Sequence, residues 1–83
     1  MALADDIREY VLVALIKPAR RRGEKTVTFI ALDVHRDMGL QENRMPAICE
    51  ALDAQKFLDF AGVTLQKREG PQQSTTARWV FRL

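Results

Sequence analysis

Apolar positions along the chain change period several times, and each change marks an element. Ile7, Tyr10, Val11, Ala14 and Leu15 recur at i, i+3, i+4, i+7 and i+8, which predicts an amphipathic helix over residues 4–17. Leu12, Val13 and Ile16 widen its apolar face beyond one stripe, enough to serve a second partner. Pro18 is expected to end this helix, because the residue before a proline is pushed out of helical geometry. Residues 26–29 are β-rich and short, with Val27 and Phe29 on one face, and predict a small strand that pairs elsewhere. Ile30, Val34 and Met38 then form an i, i+4, i+8 row on a second helix. Gly39 follows where a left-handed helix end favours a residue without Cβ, and Leu40 plugs the turn.

Asn43 is placed to cap the next helix, with Pro46 inside its first turn, where a missing N–H is harmless. Met45, Ile48, Cys49 and Leu52 line its buried face, and the helix is expected to run on to Phe60. Phe57 and Phe60 would seal the bottom of the core. Gly62 breaks the helix. Residues 63–69 alternate, with Val63 and Leu65 facing one way and Thr64, Gln66 and Arg68 the other. Gly70-Pro71 marks a turn with a polar tip at 72–76, and residues 77–83 return as a strand with Trp79, Phe81 and Leu83 on one face.

At 83 residues the chain has room for one core, burying about 60% of its unfolded surface. Hydrophobic content of 47% with 29% charged residues argues for a folded domain and against disorder. The single cysteine, Cys49, excludes an intramolecular disulfide, and with one histidine no Cys/His zinc site can be assembled within the chain. Acidic residues stand where a secretory leader needs basic ones, and the apolar run from Tyr10 to Ile16 is too short to span a bilayer. A reducing, cytoplasmic setting is the expectation. Net charge is only +2, but it is unevenly distributed. Lys17, Arg20, Arg21, Arg22 and Lys25 face only Glu24, and Lys67, Arg68, Arg78 and Arg82 face only Glu69. Residues 26–62 are acidic instead, with Asp33, Asp37, Glu42, Glu50, Asp53 and Asp59 against Arg36, Arg44 and Lys56. The cations therefore flank the paired helices and are scarce within them.

The order helix, strand, helix, turn, helix, strand, loop, strand resembles the winged helix-turn-helix superfamily over nearly the whole chain. The resemblance is most specific at FIALDVHRDMGL, which is similar to the first helix and turn of many such regulators. It implies an α+β fold: a three-helix core with a helix-turn-helix, a short strand and a C-terminal β-hairpin wing, residues 1–83 forming one domain. Nucleic-acid binding is its commonest use, here of double-stranded DNA by a small transcriptional regulator or DNA-associated module. The second motif helix would then offer Asn43, Arg44, Ala47 and Ala51 to base edges, Arg44 pairing with guanine and the alanines meeting thymine methyls. The wing would offer Lys67, Arg68, Gln72, Gln73, Ser74, Thr75, Thr76 and Arg78 to phosphates, and the loop with Arg20, Arg21 and Arg22 would add a further phosphate contact.

Glu50 and Asp53 depart from that pattern, since they set two carboxylates on the same helix face. They favour a second use of the fold, as a protein-interaction module or the terminal domain of a larger assembly. A homodimer through Leu12, Val13 and Ile16 is the partner expected if a palindrome is read. His35 is expected to be structural. Asp33, His35 and Asp37 do not share a helical face and make no catalytic set, and Cys49, Trp79 and Phe81 read as core. No nucleophile with its base, phosphate-cradling loop or cofactor motif occurs, so no enzyme and no cofactor are expected.

Overall fold

A computed structural model describes residues 3–41, 44–70 and 75–83. They form a small α+β domain whose helices cover one face of a three-stranded antiparallel sheet. Helix α1, Leu3–Val11, does not stop before the proline. It passes through a π-helical turn, Leu12–Ile16, into α2, Lys17–Arg21. In a regular helix the Pro18 ring would strike the Ala14 carbonyl. The wide turn removes that clash: the Lys17 N–H donates to the Leu12 carbonyl five residues back. Pro18 then opens α2 at its first turn and its carbonyl accepts the Arg22 N–H at 3.1 Å.

The π turn also shifts the phase of the buried stripe. Ile7 and Val11 are buried, but the next buried positions are Ile16 and Ala19, not Ala14 and Leu15. Of the three residues expected to offer a dimer face, Ile16 is 0% exposed and Leu12 packs against the core, so only Val13, 53% exposed, is free.

Strand β1, Thr26–Ile30, turns its Phe29 inward and leads directly into α3, Ala31–Met38. The first N–H groups of α3 are satisfied by the other end of the chain: Ala31 donates to the Ala77 carbonyl at 2.8 Å and Leu32 to that of Thr75 at 3.2 Å. Gly39 ends α3 in the left-handed region at φ 66°, and the Leu40 N–H reaches back to the His35 carbonyl at 3.2 Å. The His35 ring closes the same turn, its Nε2–H donating to the Gln41 carbonyl at 2.8 Å, since a carbonyl can only accept.

Helix α4, Met45–Asp53, buries Met45, Ile48, Cys49 and Leu52 as the spacing predicts, and Pro46 stands in its first turn. Ala51 departs from expectation: it is buried, and its carbonyl accepts Arg8 Nε of α1 at 3.1 Å. The helix also does not run on. Ala54 is extended (φ −82°, ψ 142°) and α5, Gln55–Ala61, starts afresh. Phe57 lies five residues beyond Leu52, about 140° away around a continuous helix, so an unbroken α4 would aim it out of the core. The break re-aims it, and Phe57 becomes fully buried while Phe60 is left 51% exposed. Phe60 is thus no seal.

The sheet order is β1-β3-β2, with β2, Thr64–Glu69, and β3, Arg78–Arg82, pairing antiparallel and β3 central. Trp79 and Phe81 face inward, where Phe29, Trp79, Phe81 and Phe57 stack at centroid separations of 5.3–5.8 Å. Strand β2 breaks its own alternation. Leu65 opposes Phe81, but Lys67 opposes Val80 and Arg68 opposes Trp79, so Gln66 is an extra residue in a bulge. The bulge reverses the facing of everything after it. Arg68, expected outward with Thr64 and Gln66, lies on the face of Trp79, while Lys67 turns outward.

Candidate nucleic-acid interface

One end of the sheet gathers Arg68, Thr75, Thr76 and Arg78. The Ile30–Arg78–Glu69 row lies at that end, next to the hairpin tip. Helix α4 is placed there by both of its ends. Its first residue, Met45, lines an apolar concavity with Leu32, His35 and Thr75, and its last, Asp53, meets the base of the hairpin.

That second junction is a three-way clamp. Asp53 Oδ1 accepts Trp79 Nε1–H at 2.7 Å and Arg68 Nε–H at 3.0 Å, while Arg68 Nη2 approaches Oδ2 at 3.4 Å. The remaining guanidinium nitrogen, Nη1, donates to the Glu69 and Gly70 carbonyls, and the group lies 4.9 Å from the Trp79 ring centroid. A buried indole N–H needs an acceptor, and Asp53 supplies it. Two consequences follow. Arg68 is engaged in joining β2 to α4 and is not displayed as a surface cation. Asp53 is neutralised where it stands, leaving Glu50 as the exposed carboxylate of α4 with no described partner.

Arg44 stands exposed at the N-terminal cap of α4 with no described side-chain partner, and Ala47 is half-buried beside it. Lys67 and Arg78 face out from neighbouring strands and share one carboxylate, Glu69, at 3.6 and 3.7 Å. Thr75 and Thr76 are exposed. Asn43, Gln72, Gln73 and Ser74 lie outside the described residues, and with them the proposed cap and most of the hairpin tip.

The arginine group does not join this surface. Arg20 Nη2 donates to the Ala61 and Gly62 carbonyls at 2.7 and 2.9 Å, closing the C-terminus of α5. Arg22 pairs with Glu24 at 2.6 Å, and Arg21 is exposed without a described partner. The chain from there enters β1 at Thr26, which opposes Arg82, and Arg82 opposes Thr64, so these residues mark the other end of the sheet. Four strand steps of about 3.3 Å put roughly 13 Å between the two end rows, before the loops extend it. The expectation that hairpin and arginine loop grip one backbone together is therefore corrected.

Among the titratable groups of the described residues one departs clearly from its usual value. The Tyr10 hydroxyl is held above 10 by desolvation first, then by its 3.0 Å hydrogen bond to Asp37 Oδ2 and the charges of Asp37 and Asp33. Among the described residues no His, Cys, Asp and Glu cluster could hold a metal ion, and no helix is long and apolar enough to cross a membrane. Compared with known proteins, no family model, curated protein or solved structure matches the chain.

Proposed function

We propose that this domain is a winged helix that binds double-stranded DNA, as a small cytoplasmic regulator or DNA-associated module and not as an enzyme. The observation that carries the reading is the clamped α4. A left-handed glycine ends α3 ahead of it, Asp53, Arg68 and Trp79 fix its last residue against the hairpin, and Arg44 stands exposed at its N-terminal cap. That is the arrangement in which a recognition helix enters the major groove while a wing follows the backbone. The clamp also removes one of the two acids that argued against a polyanion. Arg44 is the residue assigned to base edges, and Lys67 and Arg78, once a phosphate displaces Glu69, are assigned to the backbone.

The rival reading, a winged helix that binds protein, draws on Glu50, exposed with no partner among the described residues. The two separate by titrating a labelled duplex by anisotropy at low salt. Arg44→Ala should weaken binding by about 5- to 150-fold, the range for losing a good base contact, and Glu50→Gln should tighten it. Failure of any duplex to bind at low salt would favour the protein partner.

A further inference from the structure

The cations that the α4 surface does not use are collected at the opposite end of the sheet. There lie Arg20, whose guanidinium caps the Ala61 and Gly62 carbonyls, with Arg21, Arg22, Lys25 and Arg82. The acidic side chains beside them among the described residues are Glu24, paired with Arg22, and Asp59, which Gln55 engages at 3.2 Å. The register places Arg82 on the outer sheet face between Thr26 and Thr64. Lys25, Thr26, Thr64, Gln66 and Arg82 line one shallow concavity there, with Leu65 its single large apolar side chain. The Leu83 N–H donates to the Lys25 carbonyl at 3.0 Å, which ties the loop to the strand end.

We infer that this end of the sheet is a second site for the phosphate backbone of duplex DNA, facing away from α4, so that one molecule holds two duplex segments. Positive side chains ringed by hydroxyl and amide donors match phosphate oxygens. Phe29, Trp79 and Phe81 are buried on the inner face, so the outer face has no stacking platform for unpaired bases. Contact is with backbone alone, hence independent of sequence. The end rows of the sheet lie roughly 13 Å apart, before loops and long side chains extend the separation, in a domain 35 Å in its longest dimension.

The inference rests on α4 as the first site, and the experiment keeps the two separate. A 20-base-pair duplex is immobilised, the protein is added, and capture of a fluorescent second duplex is measured at 0.1 M salt. The parent should retain both duplexes. Arg21→Ser/Lys25→Ser/Arg82→Ser, three exposed cations without described partners, should stay on the first duplex and lose about tenfold or more of the second. If a thermal melt shows that variant unfolding early, Arg82→Gln alone should lose about eightfold, the effect of one phosphate contact at that salt. Undiminished capture by these variants, or a parent that holds one duplex and never two, overturns the inference and leaves the α4 reading intact. A variant that no longer binds even the first duplex, with Arg44→Ala binding like the parent, upholds the second site and removes α4. A parent that binds no duplex at all overturns both.

Discussion

Replacing Arg68 separates a structural cation from a phosphate-binding one. Its side chain is 17% exposed and meets Asp53, the Glu69 and Gly70 carbonyls and the Trp79 ring together. A partly screened ion pair is worth about 1 kcal/mol, the stacked cation about 0.5–1, and the carbonyl bonds about 0.5–1 more after exchange with water. Arg68→Ala should therefore destabilise the domain by about 2–3 kcal/mol. For a domain of this size that lowers Tm by roughly 8–20 °C, read by circular dichroism, and urea unfolding followed through Trp79 fluorescence gives the free energy directly. Arg68→Lys is the sharper variant. An ammonium keeps the charge but cannot reach the carboxylate and both carbonyls at once, so it should lose about half as much stability as alanine. An Arg68→Lys protein as stable as the parent, or one that loses duplex affinity with stability unchanged, would refute the clamp.

Further outcomes follow from other corners of the fold. Tyr10 is the only tyrosine, so phenolate absorbance isolates it, and its midpoint should lie above 10 in the folded protein. Because the folded value is the raised one, that contribution is complete below pH 10 and lost as pH climbs through the folded midpoint; Tyr10→Phe should show a shallower alkaline fall in urea midpoint than the parent. Gly39 and Gly70 both have positive φ, but an added Cβ meets nothing within 4 Å at Gly39 and lies 2.8 Å from the Thr76 carbonyl oxygen at Gly70. Gly39→Ala should thus cost about 1 kcal/mol, and Gly70→Ala clearly more, in the same unfolding assay. Ile16→Ala should lose about 2–5 kcal/mol as a core cavity, whereas Val13→Ala should stay within about 0.5, and sedimentation should report no change of mass for either.

The contacts show why parts of the chain were readable and others were not. Val34 and Met38 on one helix, the left-handed Gly39, the Pro46 turn and the inward Trp79 and Phe81 are local signals and stand as expected. Ile30, expected to head the helical row, instead ends β1 in extended geometry (φ −114°, ψ 158°). Three of the departures share one cause. The π turn before Pro18 and the extra Gln66 in β2 each insert one residue into a regular element, and extended Ala54 restarts another. Periodicity assumes constant phase, so a one-residue shift moves every later side chain to another face. That is how Ile16 displaced Leu15, how Arg68 came to lie over Trp79, and how Phe57 entered the core without Phe60. Ala51 is buried and not on the exposed face for a different reason: α1 crosses α4 closely enough for Arg8 to reach its carbonyl. The separation of the arginine group from the hairpin depends on antiparallel register across β3, which no local pattern in residues 17–25 encodes.

The claim that α4 and the hairpin form a DNA-reading surface is tested most directly by duplex affinity against salt for the parent and Arg44→Ala. The account predicts a parent whose log affinity falls by about 0.9 per log unit of salt for each phosphate contacted, with Arg44→Ala binding more weakly at every salt concentration. A duplex affinity that ignores salt, or is unchanged by loss of the Arg44 guanidinium, would contradict it.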